Sequence, residues 1–193
     1  MAARDREFDP QVIATTLMGC VQSTLEEMYN LRLSQDPEFD EKEIIEYASR
    51  MQTFGLEKFN GPCYVSAINF YLSPRHLEEH DPVGAIVIYV KEDLAVRFLK
   101  ALGFEDADEE DEDIILDCCG ELANIITGQF KNELTALGYK DLTISAPVKA
   151  KNDIPGGVEF NYNEYKLYEL SFYLWKEKTM VISITMAAVE HAG

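Results

Sequence analysis

Alternating apolar residues near the C-terminal end of the chain place the strongest constraint on its fold. They form two runs: Tyr168, Leu170, Phe172 and Leu174, then Met180, Ile182, Ile184 and Met186. Successive side chains of a strand point to opposite faces of a sheet, so each run predicts a strand with one apolar face. A tight turn near residues 176–178 joins them into a hairpin.

A second hairpin is predicted in the first half of the chain. Residues 63–72 alternate and are rich in β-branched and aromatic residues, and residues 83–90 form a short apolar strand. The sequence between them is polar and predicts a connecting loop. Hairpins favour an antiparallel sheet over a parallel one, because parallel strands need long crossover connections.

Helical periodicity precedes and follows the first hairpin. Residues 10–33 place apolar side chains three and four apart, with Asp9 and Pro10 as cap and first turn. Residues 91–102 predict a second helix, and residues 116–130 a third. Helix and hairpin thus alternate as a weak pseudo-repeat, which predicts an α+β fold with helices packed on a mainly antiparallel sheet.

Residues 34–62 interrupt this pattern. They are polar and irregular, and Glu41–Ala48 predicts one short helix among them. We interpret residues 34–62 as an insertion or lid-like excursion in a single domain that spans residues 1–193.

The composition limits the choice of partners. The chain carries 35 acidic residues against 17 Lys and Arg, a formal net charge of −18. Such a surface repels nucleic acid and anionic membranes and favours a partner with local basic groups. The sequence has no apolar run of about 18 residues and no signal-peptide pattern at residues 1–10. We therefore expect a cytoplasmic protein.

Metal and disulfide chemistry has little support in the sequence. The four cysteines show no CxxC spacing, and we interpret them as reduced, mostly buried thiols. His76 and His80 are four residues apart, but Leu77 stands where the metalloprotease pattern requires glutamate. The acidic run before the third helix has Asp111 where a calcium loop requires glycine. We expect no metal site.

The third predicted helix carries an unusual polar stripe. At about 100° per residue, Asp117, Glu121, Asn124 and Gly128 fall within one narrow sector. The opposite side is apolar: Cys118, Cys119, Leu122, Ile125, Ile126 and Phe130. The helix is therefore amphipathic, with its apolar side predicted to face the core.

Small residues accompany this stripe where long charged side chains are usual. Gly120 and Gly128 each cost about 1 kcal/mol relative to alanine within a helix. Either close helix packing or a docking surface for another protein would offset that cost. Periodicity alone leaves both explanations open.

The segment DCCGELANIITG, residues 117–128, resembles the active helix of the CheC/CheX/FliY family of chemotaxis phosphatases, most closely the CheX type. The resemblance extends over most of the chain in the family's order: a first helix at 12–33, the hairpin at 63–90, a helix at 91–102 and a strand at 142–148. It implies a CheC-like fold and a homodimer formed through the sheets.

The resemblance also implies a function. Family members hydrolyse the phospho-aspartate of a CheY-like receiver, which supplies the Mg²⁺, so this chain needs no cofactor of its own. Glu121 would pair with a receiver lysine, and Asn124 would orient the attacking water. A carboxamide suits that role because it both donates and accepts hydrogen bonds without repelling phosphoryl oxygens. Asp117, Gly120 and Gly128 would support the helix and its close approach.

Two alternatives and one further motif remain beside this expectation. The chain could be a non-catalytic module that binds a receiver or a flagellar-switch component, or a dimeric scaffold whose stripe is a helix contact. Glu27 and Asn30 in the first helix repeat the Glu-x2-Asn spacing. Leu31, Leu33 and the lack of small residues around this pair argue against a second site.

Overall fold

The computed structural model describes residues 9–189 and contains a seven-stranded antiparallel sheet. The helices are α1 (Pro10–Ser23), α2 (Gly55–Phe59), α3 (Pro74–Glu78), α4 (Glu92–Ala101) and α5 (Glu112–Ala136). The strands are β1 (Glu38–Glu43), β2 (Glu46–Tyr47), β3 (Arg50–Met51), β4 (Cys63–Tyr71), β5 (Gly84–Lys91), β6 (Thr143–Ile144), β7 (Val148–Lys151), β8 (Lys166–Leu174) and β9 (Glu177–Met186). The sheet order is β1-β8-β9-β5-β4-β6, and β7 also pairs with β4.

The two predicted hairpins form the centre of the sheet. β4 pairs with β5, β8 pairs with β9, and β5 joins the two hairpins by pairing with β9. The β8–β9 turn lies at Trp175 and Lys176, just before its predicted position, and both residues have positive φ, 54° and 64°. Such a two-residue turn matches the right-handed twist of the strands it joins. The guanidinium of Arg97, on α4, lies 3.8 Å from the centroid of the Trp175 ring.

One face of the sheet carries the larger core. α1, α4 and α5 pack there through fully buried side chains: Leu17, Val21, Phe98, Leu99, Leu122, Ile126 and Phe130. They meet the inward residues of the central strands: Ile68, Phe70, Ile86, Ile88, Leu170, Phe172, Ile182 and Ile184. Apolar burial at about 25 cal/mol per Å² is therefore the main force that fixes α5 on the sheet.

The first helix ends earlier than predicted. Asp9 caps α1 by accepting a hydrogen bond from the Gln11 amide at 2.9 Å, but α1 ends at Ser23 and a π-helical turn covers Thr24–Met28. The chain then turns away, with Asn30 at a φ of 53°. The prediction of helix over residues 10–33 is thus wrong after residue 28. The helix predicted at residues 91–102 is confirmed as α4.

The segment 34–62 contains strands where one helix was predicted. Glu41–Ala48 is not helical, because β1 pairs antiparallel with β8 at the edge of the sheet. Cross-strand contacts favour this pairing: Phe39 stacks on Tyr168 at 5.2 Å, and Lys166 donates to Glu41 at 2.7 Å. Tertiary pairing overrides the weak helix propensity of this sequence. That the segment is an insertion stays a prediction.

A smaller core covers the opposite face of the sheet. It joins Val65, Val87, Tyr89 and Val181 of the sheet to Met51, Ile154, Val158 and Phe160. Ion pairs hold the segment 34–62 against the sheet beside this core. Glu169 of β8, whose side chain is only 9% exposed, accepts from Lys42 at 2.9 Å and also from Lys58.

Two shorter predictions need correction. The strand expected over residues 142–148 is split into β6 and β7, and Ser145 between them accepts a hydrogen bond from the Asn69 amide at 2.9 Å. The connection between β4 and β5 contains the short helix α3, capped by Ser73.

Within residues 9–189, none of the helices has the length and hydropathy that a membrane span requires.

Candidate functional site

The helix α5 begins at an ordered acidic cap. The Asp111 carboxylate accepts a hydrogen bond from the Ile114 amide at 3.2 Å, and Glu112 and Asp113 occupy the first turn. Carboxylates there favour the helix because they complement the positive end of its dipole. The acidic run in the sequence therefore has a structural role at the start of α5.

The two faces of α5 agree with the predicted stripe. Asp117, Glu121 and Asn124 are exposed, and Gly128 is half-buried. Five of the residues predicted on the apolar side are buried: Cys118, Cys119, Leu122, Ile126 and Phe130. Ile125 is only half-buried, so the buried face is slightly narrower than predicted.

The cysteines behind the stripe belong to the core. Burial raises the pKa of the Cys118 and Cys119 thiols, and it raises the pKa of Cys63 to about 12. All four cysteines are free thiols, and only Cys20 is not fully buried. The predicted buried packing role is therefore confirmed for Cys63, Cys118 and Cys119, whereas Cys20 is only half-buried.

Asp117 is paired within the chain. Its side chain is 74% exposed and accepts a hydrogen bond from the ammonium of Lys149, which lies on β7 and is 30% exposed. This contact joins the first part of the stripe to an edge strand of the sheet. Sequence reasoning missed Lys149, although Lys149 and Lys151 alternate in an otherwise acidic chain.

Glu121 and Asn124 differ from Asp117. Neither side chain makes a hydrogen bond or ion pair with any residue in the part of the chain that the structure describes. They are three residues apart on α5, and side chains at that spacing are neighbours on a helix surface, with Cβ atoms about 5–6 Å apart. The two polar groups are therefore adjacent, exposed and available to another molecule.

The two glycines of the stripe have different surroundings. A Cβ added at Gly120 would lie 2.7 Å from Cδ of Lys149, so the missing side chain gives the Lys149 stem room to cross the helix. A Cβ added at Gly128 would have nothing within 4 Å. Packing within the described residues therefore explains Gly120 and leaves Gly128 unexplained.

The other motifs do not assemble a comparable site. Glu27 lies in the π-helical turn and Asn30 lies beyond it with positive φ, so the pair does not share one helix face. His76 Nδ1 is 2.7 Å from Ser73 Oγ, whereas His80 Nδ1 is 2.8 Å from a Glu159 oxygen. No group of three metal-ligating side chains occurs within residues 9–189.

Comparison with known proteins finds a family model and solved structures that are similar to this chain. Residues 79–154, which include the whole stripe, match the family model described as chemotaxis phosphatase CheX. The structure of the chemotaxis protein CheX from Vibrio vulnificus is similar with a TM-score of 0.55 and 17% identity, over 90% of this chain and 97% of that one. The chain is thus similar to proteins of the CheC/CheX/FliY family, in sequence over residues 79–154 and in fold over most of its length. Its fold is CheC-like and α+β, as the sequence predicted.

Two further solved structures give similar agreement. A CheX–CheY–BeF3–Mg²⁺ complex from Borrelia burgdorferi matches with a TM-score of 0.55 and 15% identity, over 91% of this chain and 98% of that one. FliY from Thermotoga maritima matches with a TM-score of 0.58 and 17% identity, over 97% of this chain and 93% of that one. At these identities the similarity shows the fold. No curated protein matches the sequence significantly.

Proposed function

We propose that this CheX-like chain hydrolyses the phospho-aspartate of a CheY-like receiver domain. The observation that carries the proposal is the exposed pair Glu121 and Asn124, which are adjacent on α5 and have no partner within residues 9–189. The similar fold of a CheX that forms a complex with CheY supports a CheY-related role.

Each residue of the stripe has a proposed part in this reaction. Glu121 pairs with a basic side chain of the receiver and so fixes the position of the partner. Asn124 enters the receiver's active site and holds a water in line with the phosphorus–oxygen bond that breaks. Its carboxamide accepts from the water and donates to it or to a neighbouring oxygen, without the repulsion of a carboxylate.

The surroundings of the pair fit these roles. Gly128 leaves the surface one turn beyond Asn124 without a side chain, so a partner's backbone can approach closely. The Mg²⁺ belongs to the receiver and neutralises phosphoryl charge there. The chain itself contributes position and hydrogen bonds. A cytoplasmic location, where a receiver would be met, stays a prediction.

A second candidate function is a binding module without useful catalysis. The TM-score with FliY, 0.58, lies within the range of 0.55 to 0.58 obtained with CheX structures, so the fold does not favour a phosphatase over a switch component. In this case α5 would dock on a receiver or a flagellar-switch component through Glu121.

The test is the loss of phosphate from a Mg²⁺-loaded, phosphorylated CheY-like receiver. The wild-type chain should accelerate it, and Asn124→Ala should reduce the acceleration about 100-fold, because a misplaced reacting group costs about that factor. Asn163→Ala, which removes an exposed asparagine from a loop outside α5, is the matched control. Equal rates for Asn124→Ala and wild type would contradict the mechanism, and binding without acceleration would select the binding module.

We also propose that the chain forms a homodimer. The fold limits the surfaces that could form the dimer interface. Both faces of the sheet are covered by the chain's own residues, so the partner must meet an edge or the outer surface of the covering layers. The β1 edge carries four acidic residues in six positions and would repel a second copy of itself. The β6–β7 edge, where Val148 is 52% exposed, is the better candidate. Analytical sedimentation of the wild type and of Val148→Asp, which compares their oligomeric states, would test whether a dimer forms through the β6–β7 edge.

A further inference from the structure

Lys149 connects β7 to the stripe of α5 in a specific way. Its aliphatic stem lies over Gly120, with Cδ 2.7 Å from where a Cβ would be, and its ammonium binds the Asp117 carboxylate. Pro147 lies beside the same glycine, with Cγ 3.5 Å from that position. The lysine therefore lies along the stripe rather than extending into solvent.

We propose that Lys149 is a positioning residue that selects which carboxylate of the stripe receives the partner. This inference rests on the proposed function. By occupying Asp117, Lys149 leaves Glu121 as the carboxylate of the stripe that has no cation partner among residues 9–189. The basic side chain of the receiver then docks on Glu121 alone.

The stripe needs such a selection because its two carboxylates are alike. Asp117 and Glu121 are four residues apart, so they lie on one face of α5 about one turn from each other. A receiver lysine that paired with Asp117 would shift the partner along the helix by up to about 5 Å, the rise of one turn. Asn124 would then miss the phosphoryl group.

Gly120 has a defined place in this arrangement. A methyl group there would push the Lys149 stem away from the helix, and the ammonium would lose its alignment with Asp117. The glycine thus serves the internal ion pair.

The competing explanation is that Lys149 merely fastens β7 to α5. Another residue already provides that connection, because Lys151 on the same strand binds Glu112 of α5 at 2.8 Å and Glu92 of α4 at 2.5 Å. Lys151 lies at the start of α5, away from the stripe. It therefore offers a control that removes two ion pairs of β7, those with Glu92 and Glu112, without changing the charge beside Glu121.

Steady-state dephosphorylation of the receiver separates the two explanations. Lys149→Met keeps an unbranched stem and removes the charge, so kcat should fall about 10-fold or more through misplacement while KM does not rise. The double variant Lys149→Met, Asp117→Asn removes the competing carboxylate and should restore kcat. Lys151→Met should keep both constants at the wild-type level.

Three results would overturn the proposal. If the double variant is no more active than Lys149→Met, Lys149 has only a structural role. If Lys149→Met matches an active wild type, the inference on Lys149 fails and the proposed function stands. If the wild type neither binds the phosphorylated receiver nor accelerates its dephosphorylation, the proposed function fails and this inference fails with it.

Discussion

Glu121 and Glu169 carry the same side chain in opposite situations. Glu169 lies on β8 with 9% of its side chain exposed and holds two ammonium groups, those of Lys42 and Lys58. Glu121 lies on α5, is exposed, and has no cation within residues 9–189. One carboxylate is built into the fold, and the other is exposed without a partner among the described residues.

The difference follows from the cost of removing charge from water. A buried carboxylate without a partner would cost several kcal/mol, so the fold brings two lysines from the segment 34–62 to Glu169. Burial raises the pKa of Glu169, but hydrogen bonds from Lys58 and Lys42 outweigh it and leave the pKa below the ordinary value. An exposed carboxylate such as Glu121 is solvated by water and needs no internal partner.

The same substitution at both positions should separate their roles, and the larger effect is expected at Glu169. Glu169→Gln leaves Lys58, whose side chain is 10% exposed, without a counter-charge, so the free energy of unfolding should fall by about 3 kcal/mol. Urea unfolding followed by circular dichroism measures this. Unchanged stability would show that the buried pair contributes nothing to the fold.

The pH dependence of stability gives a second measurement on Glu169. The pKa of Glu169 is lowered in the folded state. Its ionised carboxylate therefore contributes fully to the free energy of unfolding above the pKa that it has in the unfolded chain. That contribution is lost as the pH falls through the pKa of the folded state. Wild type should therefore lose stability below about pH 4.3, the ordinary glutamate pKa, more steeply than Glu169→Gln. Parallel acid-denaturation curves for the two proteins would contradict this assignment.

At Glu121 the expected effect is on docking instead. Glu121→Gln should raise the KM for the phosphorylated receiver about 10-fold, equivalent to about 1.4 kcal/mol, because a charged contact at an interface is lost. The free energy of unfolding should stay within about 0.5 kcal/mol of wild type, as for other surface substitutions. Glu133→Gln, on another side of the same helix, should leave KM unchanged. Equal KM values for the two variants would show that Glu121 does not contact the receiver.

The smallest expected effect is at Gly128. Alanine fits there without any contact within 4 Å, so Gly128→Ala should stabilise the protein by about 1 kcal/mol through helix propensity. If the open surface admits the receiver, the same variant should bind it less tightly. Calorimetry and a binding titration measure the two changes. A variant that is more stable and binds equally well would show that Gly128 has no docking role.

Much of the sheet and the stripe could be predicted from the sequence because both are periodic. Strands β4, β5, β8 and β9 are recognisable by alternation or by a continuous apolar run. The faces of α5 follow from its 3.6-residue period, and their exposure agrees with the prediction except at Ile125 and Gly128, which are both half-buried. Periodicity identified the polar face, and the resemblance of DCCGELANIITG supplied its proposed chemistry.

The features that could not be predicted from the sequence depend on contacts between residues that are distant along the chain. The last three residues of β1 fell within the helix predicted at Glu41–Ala48, because EFDEKE is mostly charged and has no apolar face; the segment pairs with β8 as a strand. Lys149 was missed because its partner Asp117 is 32 residues away. No local pattern contains this information.

The turn between β8 and β9 gives the protein a built-in optical reporter. Trp175 is the only tryptophan of the chain, so all indole emission comes from this one turn. Arg97 lies over the ring, and loss of that cover on unfolding moves the indole into water. A red shift of the emission would therefore follow separation of α4 from the hairpin, without any added dye.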